Sequence, residues 1–202
     1  MSIIDAARTA LLEDGYARLS TRRVADLAGV PLSQIHYHFG SKQQLILAVL
    51  ADHNARLLER QERLFAGPEP LWQQWERACD YLDADVESGY VRILQEMIAA
   101  SWSDPTLATE VRDLLAGWFR LLGNVARLRS REIGGLGPFT PEETGALMAL
   151  PFMGAESMIL LGFSEAELPA RSALRKFGAV LRELESQRAV AAPSGAPEEV
   201  LR

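Results

Sequence analysis

Residues 20–42 read STRRVADLAGVPLSQIHYHFGSK, and this stretch decides the fold. Ser20 suits a helix N-cap: its hydroxyl can take an N–H that the first turn leaves without a partner, and Leu19 and Val24 stand where a hydrophobic staple would form. Gly29 stops that helix, because glycine reaches the left-handed conformation of a tight turn with no Cβ to clash. Pro31 opens a second short helix, through about His38, and Ser41 with Gln44 reads as a capping box for a long third one. Ala25 is small where the two short helices would cross, and Val24, Val30 and Ile35 are apolar where they would face a small core. Two short helices joined by a glycine-containing turn make a helix-turn-helix. Upstream, Ile3, Ile4, Ala7, Leu11 and Leu12 form a helical stripe ended by Gly15, which completes a three-helix unit.

Downstream the pattern stays helical. The long helix KQQLILAVLADHNARLLERQERLF ends at AGPEP, and further helices are expected over about 71–87, 90–101 and 104–132. Asp104-Pro105 is an N-cap followed by proline at the first helical position. After the loop GGLG, Thr140–Glu143 and Ser164–Glu167 read as capping boxes opening the last two long helices. No segment alternates as a strand would, so the fold class is all-α. The expected division is a helix-turn-helix domain over 1–45, a larger helical domain over 46–188, and a disordered Ala-, Pro- and Gly-rich tail over 189–202.

Composition excludes several functions. No apolar run approaches the roughly 20 residues a membrane span needs, and the N-terminus has no basic lead into an apolar run, so a soluble cytoplasmic protein is the expectation. Cys79 is the only cysteine, which excludes an intrachain disulfide and a cysteine zinc cage. The net charge of −6 argues against nucleic acid, but its distribution does not. Arg18, Arg22, Arg23 and Lys42 cluster against Asp26 alone, and a local basic patch acts over about 8–10 Å. His36 and His38, two apart on a helix, point about 200° away from each other and cannot share a metal as an i, i+4 pair could. No Ser-His-Asp spacing, glycine-rich phosphate loop or carboxylate pair with basic orienters is present, so neither an enzyme nor a cofactor is expected.

LSTRRVADLAGV followed by IHYHFGSKQQLI resembles the DNA-binding region of the tetracycline-repressor (TetR) family, over about residues 3–50. Tyr37-His38-Phe39 stands for the family's tyrosine-histidine-aromatic triplet, and Ser41-Lys42 for its next helix start. Ser33, where the family usually has Gly or Pro, and His36, where it has Tyr, depart from the pattern. The resemblance makes Arg22 a base-reading residue, with Leu32, Ser33, Gln34 and His36 on the recognition helix. Ser20, Thr21, Tyr37, His38 and Lys42 are then the candidate phosphate contacts, Lys42 at a helix N-terminus whose dipole favours anions.

The resemblance further implies a homodimer on a palindromic operator, most often a repressor released by a small, largely apolar effector. A ligand-independent regulator or an activator is the alternative. Trp75, Met97, Trp102, Phe119, Phe152 and Met153 are the candidate pocket residues, and Arg92, Glu96, Arg120, Asn124 and Glu156 the candidate polar groups among them. Pro151 should kink its helix beside Phe152. Leu147, Met158, Leu161, Phe177, Val180 and Leu184, on the last two helices, are candidates for the dimer interface, where the family pairs two helices from each copy.

Overall fold

The computed structural model describes residues 1–133 and 137–191, all helix and connecting turns. Three helices make the N-terminal unit: α1 (Ile3–Arg18), α2 (Thr21–Ala28) and α3 (Leu32–Phe39). The Ser20 hydroxyl accepts the Arg23 N–H at 3.2 Å to start α2. Gly29 closes it in the left-handed conformation (φ 70°), and the Val30 N–H then reaches the Ala25 carbonyl at 3.1 Å. Val24, Ala25 and Ile35 are buried between the two helices. α1 is not uniform. Gly15 (φ 75°, ψ 168°) breaks its helical path, and one further turn follows.

The long α4 (Lys42–Phe65) spans about 36 Å at 1.5 Å per residue. Its N-terminal half buries Leu45, Ile46, Val49 and Leu50 in a first core shared with α1–α3, α6 (Tyr90–Ser101) and the start of α7 (Pro105–Ile133). Its far end puts Leu64 and Phe65 into a second core with α5 (Leu71–Glu87), α7, α8 (Pro141–Leu160) and α9 (Ala170–Ala191). The first core therefore crosses residue 45 without a break, and α4 belongs to both. Asp104 caps α7, accepting N–H bonds from Thr106 and Leu107 at 3.0 and 3.1 Å, and Thr140 with Glu143 forms the full capping box of α8.

Two cap readings change. Ser41 takes the Gln44 N–H, but the Gln44 amide reaches Glu110 on α7, so only half of that box forms. Ser164–Glu167 closes a single turn, with the Glu167 carboxylate taking the Ser164 N–H, and opens no long helix. Pro169 disfavours helical backbone at Leu168, so α9 starts afresh at Ala170, and Glu165 caps it by accepting the Arg171 and Ser172 N–H groups. α9 continues to Ala191, past the expected start of the tail at 189, and residues 192–202, like most of GGLG, lie outside the described residues. α8 runs through Pro151, whose ring is exposed beside α9 and does not border the interior near Phe152.

α7 and α8 cross at two glycines. A Cβ on Gly145 would stand 2.6 Å from the Gly123 nitrogen and 2.8 Å from its Cα, both backbone atoms that cannot swing away. A Cβ on Gly123 would meet nothing within 4 Å. Helix propensity alone favours alanine over glycine by about 1 kcal/mol at either site. Gly123→Ala is therefore expected to be neutral or stabilising in urea unfolding. Gly145→Ala is expected to cost about 1–3 kcal/mol, because overpacking outweighs propensity.

Candidate nucleic-acid interface and effector cavity

The periodicity of α3 turns Ile35 inward and leaves Ser33, Gln34, His36, Tyr37 and His38 exposed on its outer side. Tyr37 is 85 % exposed, an unusual position for an aromatic ring without a partner surface. Leu32 departs from its assignment. It packs half-buried against the first core and presents only part of its side chain outward. Thr21 is half-buried, and Ser20 is committed to capping.

The two arginines of α2 divide. Arg23 pairs with Glu13 and with Asp14, the latter at 2.6 Å, and so holds α2 to α1. Arg22 is exposed and has no ion pair among the described residues. Lys42 donates to the Ala17 carbonyl at 3.3 Å and lies 5.0 Å from the Tyr16 ring centre, so it ties the start of α4 to the end of α1.

A second tie was not legible in the sequence. In an unbroken helix the Tyr16 N–H would donate to the Leu12 carbonyl, four residues back. The break at Gly15 separates them, and α6 takes both. Arg92 Nη2 donates to the carbonyls of Leu11 and Leu12 at 2.9 and 2.6 Å, and the Tyr16 N–H donates to Glu96 Oε2 at 2.7 Å. Arg92 and Glu96 thus clasp α1 and do not face the pocket. Arg120 and Asn124, also candidate pocket polar groups, are exposed on α7.

The interior holds a cavity of about 50 Å³ between α4, α5, α6, α7 and α8. Apolar walls from Leu57, Leu94, Trp118, Phe152 and Met153 enclose polar groups of Asn54, Asp85, Tyr90 and Glu156. Of the expected pocket residues, Phe152 and Met153 line it. Trp75 lies beyond Phe152 (ring centres 5.2 Å apart), its indole N–H donating to the Leu174 carbonyl at 2.6 Å. Met97 is buried in the first core and contributes packing only. Trp102 caps the end of α6 and is 82 % exposed, because the helical stripe that would turn it inward ends there. Phe119 faces outward grooves on α7.

Electrostatics in the cavity are uneven. Asp85 is paired with Arg60 at 2.6 Å, and the guanidinium sits 4.1 Å from the Tyr81 ring centre. Glu156 has no hydrogen bond or ion pair among the described residues. Burial, and then the Asp85 charge, push its carboxyl up to about 8. Burial also raises the Tyr90 hydroxyl, with Glu156 and Asp85 adding to it. His53 stacks on Tyr90 at 4.1 Å and is lowered by burial, so it is neutral at pH 7. Burial pushes the Cys79 thiol up to about 11, which leaves it unreactive.

The outer face of α8 and α9 carries Leu147, Leu161, Phe177, Val180 and Leu184, all exposed, with Met158 half-buried. Between the two helices runs an apolar groove of about 420 Å³ lined by Trp75, Leu147, Met158 and Phe177. No helix among the described residues is long and apolar enough to cross a membrane.

An exposed second helix on a helix-turn-helix, carried by a larger helical domain, is the arrangement that places a helix in the major groove of DNA. The family model described as "Bacterial regulatory proteins, tetR family" matches residues 3–49. A probable HTH-type transcriptional regulator, ArpR of Pseudomonas putida, is 38 % identical over 68 residues, which cover 31 % of this chain and 32 % of that protein. The aligned part thus spans about a third of the length of such relatives. Over most of the chain the fold is that of FadR from Bacillus subtilis, solved with stearoyl-CoA (TM-score 0.72, 14 % identity, 89 % of this chain and 95 % of that one). It is also that of a structure described as a TetR-family regulator from Rhodococcus sp. (TM-score 0.70, 21 % identity, 89 % and 95 %). At these identities the likeness is one of fold. Residues 3–49 thus match the N-terminal region of the tetR family of regulatory proteins, and the rest of the chain shares the fold of the two solved regulators.

The Glu156 carboxyl gives a signed expectation. Its folded pKa of about 8 lies above the ordinary 4.5, so between those values the folded state binds more protons than the unfolded state. Its contribution is fully present below pH 4.5 and is lost as pH rises toward 8. Glu156→Gln should match the wild type in chemical denaturation near pH 4.5. By pH 9 it should be the more stable, on the order of a few kcal/mol.

Proposed function

We propose that the protein is a homodimeric, sequence-specific regulator, a repressor released from a palindromic operator when a small, largely apolar ligand enters the interior cavity. In this reading residues 1–45 form the DNA-binding unit, and residues 46–188 hold effector and partner. One observation carries the proposal. On α6, Tyr90 and Leu94 line the cavity, while Arg92 and Glu96, each two residues further on, hold α1. Residues two apart on a helix point about 200° from each other, so opposite faces of one helix meet ligand and recognition unit.

A ligand that enlarges the cavity shifts α6 and moves α1 with it, which changes the separation of the two recognition helices. Successive major grooves on one side of DNA require about 34–36 Å between them. The ligand needs only to favour the splayed state; a hundredfold preference corresponds to about 2.7 kcal/mol of coupling. On DNA, Arg22, Ser33, Gln34 and His36 read bases, with the outer part of Leu32, and Tyr37 and His38 meet phosphates. Lys42 adds its charge while it holds α1. The α8–α9 groove is covered by the partner copy.

Selection from random duplexes tests this directly. The wild type should return a palindrome, and Arg22→Ala should relax one base pair per half-site, at a cost of about 1–3 kcal/mol. Val180 and Leu184, 51 % and 49 % exposed, can carry charge without disturbing either core. The double variant Val180→Glu, Leu184→Glu should sediment as a folded monomer that no longer retains the selected duplex. A dimer that persists would move the interface elsewhere. A selection with no twofold symmetry would remove the operator reading.

A further inference from the structure

We infer that the interior cavity takes an organic cation, an ammonium group carried on a small apolar body, with Glu156 as its counter-charge. This rests on the reading of the cavity as the effector site. The two carboxylates at the cavity differ in their partners. Asp85 is satisfied by Arg60, while the Glu156 carboxylate reaches the same cavity from α8 with no partner among the described residues. No arginine, lysine or histidine lines the cavity, so an anionic ligand would meet two carboxylates and no counter-charge. The walls suit the opposite sign. Tyr90, Trp118 and Phe152 present aromatic surface, whose faces attract cations. The amide of Asn54 and the hydroxyl of Tyr90 supply further acceptor oxygens for an N–H donor.

A half-buried carboxylate without a partner is costly, and protonation of Glu156 avoids that cost. A bound cation supplies the missing charge, and the proton leaves as it binds. The other titratable or charged groups nearby do not compete for this role. On α4, His53 is neutral and Arg60 is held by Asp85 of α5; on α6, the Tyr90 hydroxyl is raised far above neutrality. α7 contributes Trp118, which does not titrate. The cavity of about 50 Å³ must widen to admit a ring, and Met153, unbranched and flexible, is the wall that can yield. That widening is the displacement the proposed release mechanism needs.

The test uses three probes of near-equal size on the full chain by titration calorimetry at pH 7: 2-phenylethylammonium, 2-phenylethanol and 3-phenylpropanoate. The ammonium is expected to bind at least about tenfold more tightly than the alcohol, and the propanoate most weakly. Titration in two buffers of different ionisation enthalpy should show close to one proton released per ammonium bound. In Glu156→Gln, with its fold checked by circular dichroism, the alcohol should keep its affinity while the ammonium preference and the proton release disappear. An alcohol that binds the wild type as well as the ammonium does, or a preference that survives in Glu156→Gln, would overturn the assignment of ligand charge and leave the cavity as a ligand site. Failure of all three probes at millimolar concentration would overturn the cavity reading itself.

Discussion

The clasp of α6 on the broken end of α1 is the constraint on which the rest of the structure depends. Gly15 parts a helical hydrogen bond between the Leu12 carbonyl and the Tyr16 N–H, and both groups would be costly to leave unpaired in a half-buried position. Arg92 and Glu96 take one each. Because they are four residues apart on one helix, they meet α1 at a single place and in a single orientation. Hydrogen bonds to charged groups are worth roughly 1.5–3 kcal/mol each, enough to fix the direction in which α3 presents its outer face. Arg8 with Asp52 at 2.9 Å, and Lys42 with Ala17, add ties from α1 to α4. The recognition unit is therefore an extension of the helical body and does not hang from it.

In the proposed mechanism this rigidity gives a small cavity a long reach. α4 and α6 each border the cavity and also enter the first core, so neither can move alone. Close packing converts such a displacement into a choice between two arrangements, since tightly packed interiors do not deform continuously. The glycine crossing at Gly145 holds α8, which carries Met153, against α7, so the backbone of that wall is fixed and the flexible Met153 side chain is the part of it that can yield.

Much of this was legible in the sequence, for reasons that are local. Caps at Ser20, Asp104 and Thr140, the left-handed glycine at 29 and the apolar stripes depend on neighbours within a few residues, and they located the helices. The Ser164 turn misled because its capping pattern is also local, while the restart of α9 was set by Pro169. The clasp was hidden because Arg92 and Glu96 at i, i+4 read the same whether they face water or another helix. Trp102 failed for a related reason: residue type alone does not say which way a side chain points once the helix carrying it has ended. Glu156 is one of five polar candidates in the sequence, and only the packed structure shows that Asp85 is already paired and Glu156 is not.

The central claim is that the clasp sets the position of the recognition helices. Electron-spin distance measurement on the proposed dimer tests it without any ligand, with nitroxides at Asp26→Cys, an exposed site on α2, in a Cys79→Ala background. The account predicts one narrow distance distribution for the parent protein, and a distribution visibly broadened by Arg92→Ala with its helical content unchanged. Equal widths in the two proteins would contradict it.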